Sequence, residues 1–301
     1  MISKRNLIFI LGFMAFQAGN GLFAQDFRHQ VAIQHDNDLY LLIDQYYTAA
    51  THIRYDRLLD VDTTQINQWH FKISQELYTP YLSTPEDTIF YDRPFAGLLR
   101  FQSGYQIIKP REAWLFGVDY ALVGSQTKAG DVHKFYHRLI DEQAPAWRNE
   151  MPNKHHLNIS VERWDEFDTS FPPIKKLRWE NKIALGTLET YAQTGLNLDF
   201  TRLVGLNKSL ASGSLASDEG FNFNTGLYYR YQLYDSTIEG HLLNQQAVFK
   251  KSIVHHILMW QLSAIYQLNA FRLKLAYHQI SKKNINMRKH AFVSLKIGFL
   301  F

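Results

Sequence analysis

Val293-Ser294-Leu295-Lys296-Ile297-Gly298-Phe299-Leu300-Phe301 closes the chain with an apolar side chain at every odd position and Ser, Lys and Gly among those between. Successive side chains of an extended strand point to opposite faces, so a period of two gives the strand one apolar and one polar face. The same period recurs upstream. Phe271, Leu273, Leu275 and Tyr277 alternate with Arg272, Lys274, Ala276 and His278. Leu258, Trp260, Leu262, Ala264, Tyr266 and Leu268 alternate with Gln261, Ser263 and Gln267, and Phe221 to Leu233 and Trp69 to Leu77 read alike.

Alternation alone suits a soluble sandwich or a membrane barrel. Three features favour the barrel. The runs are long, about 10 to 14 residues, where a membrane strand needs roughly 9–11. Tyr and Trp recur on or beside the apolar sets, as interfacial girdles require. The chain ends on Phe301 inside its last strand, like an outer-membrane insertion signal. A mean hydropathy of −0.27 fits, because a polar lumen dilutes the apolar outer band. Strands are expected near 27–37, 48–59, 67–78, 94–108, 113–124, 154–165, 174–187, 190–204, 221–234, 255–268, 270–282 and 289–301. Twelve is an even number, as a bacterial barrel with both ends in the periplasm needs. The fold class is therefore all-β: a closed antiparallel transmembrane β-barrel of about twelve strands, with a short helix in an extracellular loop. The long connections 38–47, 79–93, 125–153, 235–254 and 283–288 then fall outside the cell. The connection 205–220 falls on the periplasmic side and reads as the most linker-like.

The N-terminus fits export. Lys4 and Arg5 precede the apolar run Leu7 to Phe16, and Leu22-Phe23-Ala24 supplies a cleavage site before Gln25. Residues 1–24 are expected to be a signal peptide and residues 25–301 the barrel domain. The 301 residues include 16 Gly, 8 Pro and 15% aromatics, which excludes collagen-like and disordered classes. With no cysteine, disulfides, thiolate metal sites and Cys nucleophiles are excluded. A formal charge of +4 gives no reason to expect nucleic acid. No G-x-S-x-G, P-loop or dinucleotide motif occurs.

The chemistry lies in the outer loops. His35-Asp36-Asn37-Asp38 closes the first strand, and Asp44-Gln45-Tyr46-Tyr47-Thr48 opens the second. Between the fifth and sixth strands, His133 and His137 are four apart, so one helical face can present both. Glu142 follows within a turn or so, and Pro145 ends the helix. His, carboxylates and an amide at a loop mouth can bind a hard cation and activate water. Each piece alone is nonspecific: Asp and Asn at strand ends commonly serve turns, and loop histidines are commonly surface residues. Asp92-Arg93 reads as a structural ion pair or cap. His155-His156 and His255-His256 point to opposite faces of their strands, so neither pair shares a metal.

The ordered set Asn37-Asp38, Tyr47-Thr48, Tyr78-Thr79-Pro80, Asp92-Arg93-Pro94-Phe95-Ala96-Gly97, His137-Arg138, Glu142 and Pro145-Ala146-Trp147 resembles the outer-membrane lipid A 3′-O-deacylases of the LpxR type. The likeness spans essentially the whole mature chain. It implies a twelve-strand barrel in the bacterial outer membrane, with its site between wall and loop helix. It implies calcium-dependent hydrolysis of the ester holding the 3′-linked acyloxyacyl chain on lipid A. Carried over, His137 is the general base, Asp38 and Glu142 hold Ca²⁺, and Asn37 and Thr48 complete the site. The partner is lipid A or lipopolysaccharide of the outer leaflet, and a monomer is expected. Three departures stand out. Ala50 replaces a family Gly, and His133 stands where one member has Gln. The loop Tyr81-Leu82-Ser83-Thr84-Pro85-Glu86-Asp87 lacks a Lys-Arg pair, so phosphate contacts are not carried over. A phospholipase-like esterase and a catalytically inactive barrel or pore are the alternatives.

Overall fold

The terminal stretch that sets the period also closes the sheet: Val293 to Leu300 pair antiparallel with Asn37 to Gln30 of the first strand. The computed structural model describes residues 27–301 except 63, 86, 202–203 and 243–248; the expected signal peptide at 1–24 lies outside the described residues. The strands are β1 (His29–Asn37), β2 (Tyr46–Val61), β3 (Ile66–Thr79), β4 (Ala96–Ile108), β5 (Glu112–Val123), β6 (Lys154–Asp168), β7 (Lys176–Gly186), β8 (Glu189–Asp199), β9 (Gly220–Asp235), β10 (His256–Leu268), β11 (Phe271–Ile280) and β12 (His290–Leu300). Each pairs with its sequence neighbour, and β12 with β1, in one closed barrel. Closure pairs every strand edge, which hydrocarbon demands because no water is there to satisfy backbone groups. Among the described residues no helix is long and apolar enough to cross a membrane. The eighth strand is shorter than its alternation suggests. It stops at Asp199, whose carboxylate accepts from Thr201 N at 3.0 Å and Thr201 Oγ1 at 2.9 Å, turning the chain.

Parity sorts the side chains as the alternation requires. Ile33, Ile53, Ile183, Leu227 and Leu258 are exposed on the outer face. Outer-face tryptophans anchor their N–H groups on neighbouring hydroxyls: Trp69 on Ser103, Trp179 on Thr194 and Trp260 on Thr225, each at 2.8 Å. The inner face is charged and filled. Arg54 pairs with Asp56 at 2.6 Å, Arg178 with Glu180 at 2.6 Å, and Arg100 bridges Glu76 and Asp119. Such pairs match buried charge with charge, so the interior is a polar core.

The connection after β8 is not a linker. Leu206, Leu210 and Leu215 are buried, the first and last of them packed with Leu58, Ile66, Ile108 and Leu300 at the periplasmic end. Leu215 N donates to Gln68 Oε1 at 3.1 Å, and Arg272 Nη2 donates to Ser214 O at 2.9 Å. Its Gly and Ser composition suggested a flexible strand of chain. Three leucines among the serines give it a buried face, and it plugs the mouth.

At the outer end, a helix α1 (Ala129–Leu139) follows β5 and a one-turn helix α2 (Ser236–Glu239) follows β9. Asp92 and Arg93 are structural but not paired with each other. Asp92 accepts from Tyr46 Oη at 2.6 Å and Tyr81 N at 2.9 Å, whereas buried Arg93 donates to Pro94 O and Thr237 and lies over the Tyr78 ring. Ala50 pairs regularly with Asp36 and Glu76, so the missing Gly leaves β2 intact.

Candidate active site on the outer face of the wall

The site begins with four strands in register. Asn37 pairs with Ala49, Ala49 with Leu77 and Leu77 with Gly97, forming one row across β1 to β4. The row shares parity with Ile33 and Ile53, so it faces lipid. A β-bulge makes this possible in β2. Pairing passes from Tyr47↔Tyr78 to Ala49↔Leu77, which leaves Thr48 as the extra residue. Tyr47 bonds inward to Asp36, whereas Ala49 faces out, and Thr48 is re-aimed between them. Its Oγ1 lies 2.7 Å from Thr79 Oγ1, and its hydroxyl also reaches Asp44.

Helix α1 packs against this row from outside. Its buried residues are Ala129, His133 and His137, spaced by four along one face. Val132, Phe135, Tyr136, Leu139 and Ile140 remain exposed, an apolar surface suited to the outer leaflet. Gly97 allows the approach: a Cβ there would lie 2.3 Å from Thr127 Oγ1 and 2.5 Å from the Ala129 Cβ. Gln75 Nε2 donates to Thr127 O at 2.7 Å and ties the start of the helix to the wall. Trp147, packed on Phe95 at 5.0 Å between ring centres, supports the helix from the other side. The helix ends at Leu139, well before Pro145. Asp141 adopts a left-handed conformation (φ 59°), and Glu142 N returns to His137 O at 2.9 Å. That turn brings Glu142 back beside the helix end.

Between wall and helix lies a cleft of about 130 Å³. Asn37, Asp44, Thr48, His133, His137 and Glu142 line its polar part; Leu39, Leu77, Val132, Tyr136 and Ile140 line its apolar part. His137 Nδ1 lies 2.9 Å from Gln143 O, and its Nε2 lies 3.2 Å from His133 Nε2 and 3.3 Å from Asp44 Oδ2. His133 Nε2 is 3.7 Å from Asp44 Oδ1, and its Nδ1 accepts from Trp147 Nε1 at 3.1 Å. Burial, reinforced by His137, pushes His133 down to about 3, so it is neutral. Burial raises the Asp44 carboxyl above the usual range, with Glu142 adding to the rise and His137 opposing it. Burial also pushes Asp38 up to about 9, against the bond from Gln45 N and with Asp44 adding repulsion. Asp38 sits beneath the cleft, fully buried, its backbone N donating to Thr48 O at 3.2 Å and its Oδ2 accepting from Gln45 N at 2.6 Å.

The sequence model of the outer membrane protein LpxR family matches residues 7–301. The chain belongs to the LpxR family. Its place is accordingly the bacterial outer membrane, and the barrel agrees. Among solved structures, LpxR from Salmonella typhimurium is similar with a TM-score of 0.73 at 18% identity, covering 90% of this chain and 100% of that one. An outer membrane channel from Pseudomonas putida F1 is similar with a TM-score of 0.53 at 7% identity, covering 94% and 99%. Identities this low speak for the fold alone. No curated protein matches the chain by sequence.

Of the residues marked in the sequence of this LpxR-family chain, Asn37, Thr48, His137 and Glu142 meet in one cleft, with Asp38 below it. Asp44 and His133 belong with them. Asp44 was visible only as part of a strand-opening segment rich in turn residues. Nothing local distinguished it, since the histidines it faces are 89 and 93 positions away. His133 carried a signal, its i, i+4 spacing to His137, which puts both on the buried face of α1. The donor set suits a hard divalent cation. Asp44 accepts from the Thr48 hydroxyl, Asp38 and Glu142 lie near enough to repel its charge, and the buried oxygens Asp38 Oδ1 and Asp44 Oδ1 have no hydrogen-bond partner. Carboxylates held off their usual ionisation by burial and mutual repulsion are what a cation would stabilise.

Proposed function

We propose that this protein is a calcium-dependent lipid A deacylase that hydrolyses the ester of the 3′-linked acyloxyacyl chain with a water activated by His137. The observation that carries the reading is a His–carboxylate pair in a cleft that opens on the lipid side of the barrel wall. A lipid ester there can reach a base while its acyl chain stays in the membrane. The apolar walls, Leu39, Leu77, Val132, Tyr136 and Ile140, suit such a chain.

The roles follow from the bonding. The Gln143 carbonyl only accepts, so it holds a proton on His137 Nδ1 and leaves a lone pair on Nε2, which takes a proton from water once that water displaces the 3.2 Å contact with His133 Nε2. As that proton arrives, Asp44 Oδ2, 3.3 Å away, faces the new N–H and stabilises the imidazolium. Water attacks the ester carbonyl, and the proton then passes from His137 to the departing sugar oxygen. The products are a free fatty acid and a hydroxyl on the lipid. Asp38, Asp44 and Glu142 would hold Ca²⁺, which supplies positive charge where the carbonyl oxygen turns anionic. A packed interior and the plug formed by residues 204–219 weigh against a passive pore.

The test is mass spectrometry of lipid A from membranes carrying the wild type or His137→Ala, with calcium or chelator, beside a glycerophospholipid assay. Loss of the 3′-linked chain only with wild type and calcium supports the reading. Release from glycerophospholipid in place of lipid A would move it to a phospholipase.

A further inference from the structure

His156 has no part in the cleft, yet it is buried at the outer end of β6, 3% exposed. Its companion is not His155, which points to the other face, but His241, 85 positions away in the connection after α2 and 7% exposed. The two ring centres are 4.9 Å apart with their planes at 44°. Each ring has one nitrogen on a backbone carbonyl. His156 Nδ1 lies 2.7 Å from Thr187 O, in the turn between β7 and β8, and His241 Nε2 lies 2.8 Å from Pro152 O, just before β6. A carbonyl only accepts, so both of these nitrogens carry the proton and donate it. In a neutral imidazole the other nitrogen is then left with a bare lone pair. Those atoms are His156 Nε2 and His241 Nδ1; both are buried and neither has a hydrogen-bond partner. One unpaired buried acceptor is costly and uncommon, and here two belong to neighbouring rings.

We propose that His156 and His241 bind one divalent ion of the imidazole-preferring class, Zn²⁺ or Cu²⁺, through His156 Nε2 and His241 Nδ1, at a second site apart from the cleft. An imidazole nitrogen sits about 2.0–2.1 Å from such an ion, which puts each ring centre about 3.2 Å from it. Two rings meeting the ion at about 90–110° then have centres about 4.5–5.2 Å apart, and the observed 4.9 Å falls inside that range. The bonds to Thr187 O and Pro152 O are the outer support that fixes the tautomer and plane of a metal-bound histidine. Among the described residues no carboxylate bonds to either ring, so the donor set does not suit Ca²⁺. Lys154 is a cation close to both rings, which favours the ions that imidazole holds most tightly, Cu²⁺ and then Zn²⁺. Water fills the remaining positions. None of these residues lines the cleft. The ion is a clip: it ties β6 to the connection after α2, the helix whose Thr237 receives Arg93, and so fastens the outer end of the barrel.

The test uses the full chain, folded in detergent, stripped with a chelator that is then removed, and kept in excess Ca²⁺. Calorimetric titration with Zn²⁺ and electron paramagnetic resonance with Cu²⁺ compare wild type, His156→Ala, His241→Ala and the double variant His133→Leu/His137→Ala. The double variant is needed because Asp44, His133 and His137 also bring ligand atoms within 4.8 Å of one another. Wild type and the double variant are expected to take up one Zn²⁺ at this site. His156→Ala and His241→Ala should each bind it at least about tenfold more weakly, no less than the loss of an outer-shell partner costs. Bound Cu²⁺ should show coupling to two imidazole nitrogens, and Zn²⁺ should raise the melting temperature of wild type and of neither Ala variant. Heat-modifiable gel mobility reports whether each barrel is folded; should His156→Ala fail to fold, His241→Ala and the wild-type Cu²⁺ spectrum decide. Undiminished uptake in His241→Ala, loss of the ion in the double variant, or a single coupled nitrogen would overturn the proposal. So would a wild type that takes up no ion, which would leave the two lone pairs to a bridging water.

Discussion

Gly97→Ala adds one carbon where wall and helix touch, and the structure gives the size of the disturbance. The new Cβ would lie 2.3 Å from Thr127 Oγ1, 2.5 Å from Ala129 Cβ and 3.2 Å from Glu150 Oε1. Ordinary carbon contacts begin near 3.4 Å, so something must give by about 1 Å, and close-packed interiors do not absorb that for nothing. The wall cannot yield, because β4 is paired along its length with β3 and β5. Helix α1 can, since it rests on the wall through side chains and the bond from Gln75 to Thr127 O. His133 and His137 ride on that helix, whereas Asp44, Thr48 and Asn37 ride on β1, β2 and the loop between them. A displacement of about 1 Å between base and partners costs on the order of 10²-fold in rate, or about 2.7 kcal/mol of transition-state stabilisation. The assay is lipid A deacylation kinetics on the refolded protein, with heat-modifiable gel mobility as the readout of the barrel. Gly298→Ala serves as control, because the nearest atoms to its Cβ would be those of the flexible Gln30 side chain, 3.2 Å away in the pairing of β12 with β1. Wild-type kcat/KM in Gly97→Ala, or loss of the folded barrel, would refute the argument that the helix is the part that moves.

Further outcomes follow from the same geometry. His137→Ala should lower the rate roughly 10²–10⁴-fold while the barrel still folds, since the base sits on a loop helix that contributes little to the wall; undiminished deacylation by that variant would end its role as base. Asp38→Ala and Glu142→Ala should raise the calcium concentration needed for half-maximal activity, with partial rescue by excess calcium that His137→Ala does not share; wild-type activity persisting in strong chelator would contradict both. Glu150, whose Oε1 accepts from Gly97 N at 3.3 Å, is raised by burial from its ordinary 4.5 to about 7. The folded state therefore holds a proton that the unfolded chain has lost, and stability from this group, complete below about pH 4.5, falls as pH rises to about 7. Glu150→Gln should match wild type at pH 4 and be more stable at pH 8, by on the order of 2 kcal/mol after allowance for partial exposure, in thermal melts of the detergent-solubilised protein. Equal melts at pH 8 would show that the carboxylate costs nothing there.

The sequence by itself determined the wall. Period-two alternation is a local property, set by the pleat of each strand, so Phe271 to Tyr277 or Val293 to Phe301 declare their apolar face without reference to the rest of the chain. The strand count, the loop helix and the family likeness followed from such short stretches, and they named Asn37, Asp38, Thr48, His137 and Glu142. Tertiary structure decided what needed distant partners. Closure joins β1 to β12 across more than 250 positions. The bulge at Thr48 exists only in the pairing of β2 with β3, and it is what turns this hydroxyl to the lipid side. The segment 204–219 read as linker because its composition is that of flexible chain, yet the barrel mouth offered its leucines a surface to bury. The places of Asp44 and His133 in the site escaped for the same reason. A carboxylate among turn residues and a histidine on a loop helix take their chemistry from contacts with His137 and Trp147, and periodicity does not encode which nitrogen faces an indole N–H.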